Sequence, residues 1–138
     1  MLDDGRQSWP IELWPEHLAH AHEIVGEWGL VTQVVRSNDL DAARWQQFMD
    51  LCATLHLTPI IRLATTFDFD DGMWRAPPMD GDGRYQTIAE SYAEFITALH
   101  WPTDQHYVII GNEQNHGNEW GGTPNPIHYA RFLVDVAT

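Results

Sequence analysis

The side chains best suited to chemistry are concentrated in one segment, "GNEQNHGNEWGG", at residues 111–122. It holds two Asn-Glu pairs and directly follows the β-branched run "VII". A carboxyl group just past an apolar strand is partly removed from water, which raises its pKa and suits it to donate a proton near neutral pH. Glu113 is therefore the candidate general acid/base. An Asn-Glu pair that only caps a turn or helix is the plainer alternative.

Neighbours of Glu113 in this segment offer the contacts that a carbohydrate needs. Asn112 and Asn115 carry amides that can hydrogen-bond sugar hydroxyls. Trp120 offers an apolar face for stacking on a pyranose ring. For His116, hydrogen bonding to a substrate and a structural role are equally open. Together these residue types predict a sugar-binding site around a proton donor.

Three further residues have two readings each. Glu119 is a second carboxylate, but two positions six residues apart in one loop rarely face a substrate from opposite sides, which favours a loop or rim position over a catalytic one. Arg62 lies inside a predicted strand and must find a partner if it is buried; a structural and a substrate-binding role are both open. Trp74 either lines a sugar cleft or packs its own loop against the fold.

No set of residues meets the requirements of a metal site. His17, His20 and His22 lie close together on one predicted helix, but a third convergent ligand is missing for the first two, so solvated or packing histidines are favoured. The Asp-rich runs of the long loop lack the glutamate of a calcium loop. Cys52 is the only cysteine, which excludes an intrachain disulfide and predicts a small core residue. We therefore predict neither a metal nor a cofactor.

Hydrophobic periodicity alternates between helix and strand along the whole chain, and this alternation must position the polar segment. Period-3.6 patterns predict helices over residues 13–28, 41–56, 85–99 and 125–138. Short β-branched runs predict strands over residues 30–36, 58–65 and 106–110. Residues 67–83 have no period and are rich in Asp, Gly and Pro, which predicts a long loop.

This order predicts an α/β fold in which parallel strands are joined by crossover helices. The strands are apolar on both faces, as expected for burial between layers. Functional groups collect at the carboxyl ends of such strands. Those ends are residues 36–38, 64–66 and 111–113, and the third contains Glu113.

Composition sets the class of protein and disfavours two kinds of partner. The chain has 138 residues, of which 43% are apolar, and this is enough for one globular domain with its own core. Its 20 acidic and 7 basic residues give a net charge of −13, which repels nucleic acids and anionic membrane surfaces. No apolar run reaches membrane-spanning length, and the acidic start does not resemble a signal peptide. The sequence does not predict a cellular location.

In motif and element order the chain resembles the clan A glycoside hydrolases, retaining (β/α)8-barrel enzymes that include families 5 and 39. "IIGNEQNHGNEWGG" is similar to the end of their fourth strand, where the pattern is Asn-Glu-Pro-Asn or close to it. "LVTQVVRSND" resembles their second strand and "TPIIRLAT" their third.

The resemblance implies hydrolysis of O-glycosyl bonds in an oligo- or polysaccharide. Glu113 matches the general acid/base, and Asn112 matches the residue that binds the sugar 2-hydroxyl. Arg36 is similar to the arginine that orients the nucleophile. Gln114 stands where the family has Pro, which affects the rigidity of the loop and not the proton donor.

A complete (β/α)8 barrel needs about 250 residues, so the resemblance implies a partial barrel that covers strands two to four. The nucleophile would come from the seventh strand, about 5 to 5.5 Å from the acid/base, and we expect the isolated chain to be inactive. A non-catalytic carbohydrate-binding or scaffold module with a degenerate barrel is the alternative. In a third reading, two copies associate to complete the barrel.

Overall fold

The structure is a computed structural model that describes residues 2–138. It contains four α-helices, a three-stranded parallel sheet and a two-stranded hairpin. In chain order the elements are α1 (Trp14–Val25), β1 (Leu30–Arg36), α2 (Ala42–Thr54), β2 (Thr58–Ala64), β3 (Phe67–Asp68), β4 (Met73–Trp74), α3 (Gln86–Ala98), β5 (Tyr107–Ile110) and α4 (Pro126–Ala137).

The sheet confirms the predicted α/β class with parallel strands and crossover helices. Strand β2 is central and pairs in parallel with β1 on one side and with β5 on the other. The register places Val34, Arg62 and Ile109 side by side across the three strands. Because α2 and α3 connect these strands, each crossover carries a helix, as parallel pairing requires.

Two of the four helices begin at a capping side chain. The Asp41 carboxylate accepts hydrogen bonds from the backbone N–H groups of Ala43 (3.0 Å) and Arg44 (3.2 Å) and thereby starts α2. The Asn125 side chain accepts from the N–H of His128 at 3.1 Å, and Pro126 occupies the first position of α4. These local contacts fix where α2 and α4 start relative to the strands before them.

One face of the sheet forms the main core with all four helices. Alternating strand residues point to this face, including Val35, Ile61 and Leu63. They belong to the same apolar cluster as the buried helix residues Trp14, Leu18, Trp45, Phe48, Met49, Cys52, Ile88, Tyr92, Phe95 and Phe132. Cys52 is buried, as predicted. Burial raises the pKa of its thiol to about 12.

The β3–β4 hairpin covers part of the opposite face. Trp74 lies against Val34 and Ala64, and its ring meets Phe67 edge to face at 5.2 Å. The sequence predicts only a loop here, because two-residue strands are too short to show alternation. Of the two readings of Trp74, the one in which it packs its own loop against the fold is confirmed.

Strand β5 is exposed, so the expectation that every strand is buried on both faces is wrong. Tyr107, Val108 and Ile109 are 41%, 38% and 42% exposed. β5 is an edge strand, and among the described residues β2 is its only pairing partner. Helix α4 packs against α3. Within residues 2–138, no helix is long and apolar enough to cross a membrane.

Candidate functional site

The carboxyl ends of the three parallel strands lie side by side, as predicted. The N–H of Ser37 donates to the carbonyl oxygen of Ala64 at 2.8 Å, so the end of β1 is joined to the end of β2. The N–H of Gly111 donates to the carbonyl oxygen of Leu63 at 2.9 Å, which joins the end of β5 to the same edge. The polar segment that follows β5 therefore begins at this edge of the sheet.

The chain turns sharply where β5 ends, and the turn depends on Gly111. Its φ is +73°, and an added Cβ would lie 2.1 Å from the side-chain amide of Gln114. Glu113 also has a positive φ, +41°, although it carries a side chain. Left-handed backbone at a residue with a side chain stores strain and recurs at functional sites.

The side chain of Gln114 stabilises this turn through hydrogen bonds to its backbone. In the amide orientation that satisfies both of its polar atoms, its nitrogen donates to the carbonyl oxygens of Asn112 (2.8 Å) and Glu119 (3.1 Å). Its oxygen accepts from the N–H of Asn112 at 3.1 Å. Gln114 thus holds the loop with side-chain hydrogen bonds.

Glu113 is exposed, so the partial burial predicted for its side chain is wrong. The physical reason is the turn: the amide of Gln114 occupies the space next to Gly111. The carbonyl oxygen of Glu113 accepts from the N–H of His116 at 2.7 Å, which closes the turn. The role of Glu113 as proton donor stays a prediction, and it rests on position at the strand end.

The carboxylate that is partly buried at this edge is Glu119. Its Oε2 lies 3.4 Å from Nη2 of Arg62, and the two side chains are 18% and 15% exposed. The prediction that Arg62 must pair is confirmed, and its guanidinium also lies 5.6 Å from the ring centre of Trp74. Glu119 thus lies in the loop after β5, paired with Arg62, and no contact among residues 2–138 places it opposite Glu113.

Burial dominates the electrostatics of this pair. Burial raises the pKa of Glu119, and the nearby charge of Glu113 raises this pKa further. The charge of Arg62 and a hydrogen bond from Asn112 lower the pKa, but by less, so the net shift is upward. Burial also lowers the pKa of Arg62, against the opposing effect of Glu119. The surroundings of Glu119 therefore favour its protonated form.

Trp120 is 5% exposed, so the prediction that it stacks on a sugar ring is wrong. Its ring meets Tyr129 and Phe132 at centroid distances of 5.9 and 6.0 Å and belongs to the main core. The loop closes on itself because the N–H of Gly122 donates to the carbonyl oxygen of Gly117 at 2.8 Å. That closure turns Trp120 inward.

The remaining polar residues of the segment differ in exposure. Asn112 is half-buried, while Asn115 and His116 are exposed. Asn115 and Glu113 line an open depression of about 490 Å³ together with Gln114, Pro124, Pro126 and Tyr129. The sequence does not indicate Pro124, Pro126 and Tyr129 as site residues. They lie more than ten positions beyond Glu113, and their pattern predicts only a loop and a core helix.

Arg36 is held in an ionic cluster at the end of β1. It lies 3.6 Å from Asp3 and 3.9 Å from Asp39, and Arg44 contacts the same two carboxylates, at 2.7 Å for Asp3. An added Cβ at Gly5 would lie 2.7 Å from the Arg36 guanidinium, so the N-terminal segment packs directly on it. The role of orienting a nucleophile stays a prediction for Arg36.

Asp3, which the sequence did not indicate, is the centre of this cluster. Burial raises its pKa, but hydrogen bonds from Gly5, Arg44 and Ser8 and the charge of Arg36 together hold the pKa below its usual value. The backbone nearby is fixed as well, because the N–H of Leu2 donates to the Gln33 side chain at 2.7 Å. The cluster thus ties the N-terminal segment to β1 and α2.

The histidines of α1 make separate contacts. The ring of His17 contacts that of Trp9 in a tilted arrangement, with centroids 4.4 Å apart, and His22 lies 3.6 Å from Glu27. Residues 2–138 contain no group of three or more His, Cys, Asp or Glu side chains arranged to hold a metal ion. Comparison with protein-family models, with curated proteins and with solved structures gives no match for this chain.

Proposed function

We propose that this chain is part of a retaining O-glycosyl hydrolase of the clan A type, acting on an oligo- or polysaccharide. In this proposal β1, β2 and β5 are consecutive strands of a (β/α)8 barrel. The observation that carries it is the position of Asn112 and Glu113 immediately past the carboxyl end of a parallel strand, at the edge where β1 and β2 also end. Active sites of such barrels are built at that edge.

Glu113 would act first as an acid and then as a base. Its carboxyl proton passes to the glycosidic oxygen while a carboxylate nucleophile bonds to the anomeric carbon and the alcohol leaves. The Glu113 carboxylate next takes a proton from water, whose oxygen replaces the nucleophile at the same carbon. The exposed position of Glu113 leaves it free to reach a substrate, and Asn112 beside it would bind the sugar 2-hydroxyl.

The nucleophile of this proposal lies outside residues 2–138. Within them, the nearest candidate in sequence is Glu119, which is engaged by Arg62. The isolated chain is therefore expected to be inactive. The free edge of β5 supports the barrel proposal, because a parallel strand with apolar side chains on both faces is ordinarily covered by neighbours.

The test is Glu113→Gln in the complete protein that carries this chain. Turnover of glycosides with poor leaving groups should fall by about 100-fold or more, because they need the proton. Substrates with good leaving groups should be affected less in the bond-breaking step. Glu94→Gln, at an exposed position on α3, is the matched control. Unchanged turnover of unactivated glycosides in Glu113→Gln would refute the assignment.

A non-catalytic carbohydrate-binding or scaffold module is the second candidate. It is favoured by one observation: Glu113 is exposed, and no carboxylate among residues 2–138 contacts it across a cleft. Calorimetry of the complete protein against an oligosaccharide panel separates the two, since a module binds sugar without releasing product. Self-association through the β5 edge would show as a dimer in sedimentation, and a folded monomer would exclude it.

A further inference from the structure

The open depression beside Glu113 has two chemically different walls. Pro124, Pro126 and Tyr129 form one wall, at the beginning of α4. Glu113 and Asn115 contribute a carboxylate and an amide to the other. Both polar side chains are exposed, and neither makes a side-chain hydrogen bond within the described residues that would have to break before a ligand could bind.

This arrangement matches the chemistry of a pyranose ring. One face of such a ring presents C–H groups that pack on flat apolar surfaces such as proline and tyrosine rings. Its rim carries hydroxyls that donate to carboxylates and exchange hydrogen bonds with amides. A volume of about 490 Å³ lies within the range of small-molecule sites, which are largely apolar with a few convergent polar groups.

The apolar wall is held in place by the core. Tyr129 meets the buried Trp120 edge to face at 5.9 Å, and Asn125 caps the helix that carries it. The polar wall is held by the Gln114 amide, which fastens the turn that carries Glu113. Both walls are therefore preformed, which lowers the entropy lost when a ligand is ordered between them.

We propose that this depression, between the Glu113 turn and the start of α4, is a subsite for one pyranose unit of an oligosaccharide, with Tyr129 as its platform and Asn115 as its hydroxyl partner. The sugar class rests on the proposed function. The subsite would hold the unit next to the bond that Glu113 protonates, and a single unit in an open depression should bind weakly, with a Kd of about 1 mM.

The experiment is an NMR titration of the 138-residue chain with cellobiose, xylobiose and mannobiose in turn. At least one disaccharide should give saturable amide shifts centred on residues 113–115, 125 and 127–129, since Pro124 and Pro126 have no N–H. Asn115→Ala should raise the Kd about 2- to 10-fold through loss of a hydrogen bond. Asn118→Ala is the matched control, since Asn118 is exposed in the same loop but does not line the depression.

Tyr129→Leu provides a second probe that keeps an apolar contact with the core. It should raise the Kd at least as much as Asn115→Ala, because the flat ring is lost. The subsite proposal would be overturned if none of the three sugars gave saturable shifts. It would also be overturned if the Kd were the same in the wild type and in both variants.

Failure of the subsite and failure of the proposed function can be told apart. If Glu113→Gln abolishes turnover in the complete protein and the titration shows no binding here, the subsite is wrong and the enzyme proposal stands. If the titration succeeds and Glu113→Gln leaves turnover unchanged, the chain binds sugar at this place without the proposed catalysis.

Discussion

Glu119 and Arg62 form a partly buried ion pair whose contribution to stability at neutral pH is expected to be close to zero. Their charged atoms are 3.4 Å apart, longer than the 2.7–2.9 Å of a strong charge-assisted hydrogen bond. At this distance and an effective dielectric constant of about 20, the gross attraction is about 5 kcal/mol. Removing most of the hydration of two ions costs several kcal/mol each, so the attraction is offset.

Two features of the pair indicate that the cost of desolvation offsets the attraction between the charges. The buried Nε of Arg62 has no hydrogen-bond partner among residues 2–138, so its desolvation is only partly compensated. Burial also raises the pKa of Glu119 above its ordinary value of 4.5 despite the nearby guanidinium. The folded protein therefore holds the Glu119 proton more tightly than the unfolded chain does.

Replacement of Glu119 by Gln should not destabilise the protein. Below the unfolded pKa of about 4.5, Glu119 is protonated in both states and resembles Gln. As the pH rises through the raised folded pKa, the wild type loses stability that the neutral variant keeps. We expect equal free energies of unfolding at pH 4 and a variant up to about 1 kcal/mol more stable at pH 7.

The measurement is urea-induced unfolding followed by the fluorescence of the seven tryptophans, at pH 4, 5, 6 and 7. Glu94→Gln, on the exposed face of α3, serves as the control for loss of one negative charge from a chain of net charge −13. A Glu119→Gln variant less stable than the wild type by more than about 1 kcal/mol at pH 7 would show that attraction dominates. A difference that does not change with pH would also refute the reasoning.

Asp3 should behave in the opposite way: Asp3→Asn should lower the free energy of unfolding by about 2–4 kcal/mol at pH 7, because its two arginine partners lose a buried counter-ion. Because the pKa of Asp3 is lowered in the folded protein, this contribution to stability is present above pH 3.8 and is lost as the pH falls through the folded pKa. In the same unfolding assay, Asp104→Asn is the exposed control. A loss of stability in Asp3→Asn no larger than that in the control would contradict the prediction. Gly111→Ala should cost about 2 kcal/mol or more, since φ is +73° and the new Cβ would meet the Gln114 amide. Gly81→Ala, which has open space around it, is the control, and equal stability of the two variants would show that the turn adapts.

The element order was predictable because each element is encoded locally. Helical periodicity over α3 and β-branched runs in β1 and β2 are properties of neighbouring residues. The need of Arg62 for a partner and the burial of Cys52 follow equally from residue type and local pattern. Parallel topology alone places the end of β5 beside the ends of β1 and β2. The position of Asn112 and Glu113 at that edge of the sheet could therefore be inferred from the sequence.

What local pattern could not decide is the direction in which each side chain of the polar segment points. The local pattern predicts an exposed Trp120 and a partly buried Glu113. In the structure Trp120 is buried and Glu113 is exposed. The reversal depends on contacts with distant parts of the chain. The N–H of Gly121 donates to the carbonyl oxygen of Trp74 at 2.8 Å, and Phe132 offers a core surface for the Trp120 ring.

The sequence by itself determined the α/β class, the strand end at which Asn112 and Glu113 lie, and the requirement that Arg62 be paired. Only the tertiary structure decided that Glu119 is the partner of Arg62, that Asp3 holds Arg36, and that β5 is left exposed at the edge. The physical reason is the distance along the chain over which each effect acts. Periodicity and propensity act over a few residues, whereas burial and ion pairing depend on which distant segments fill the space around a side chain.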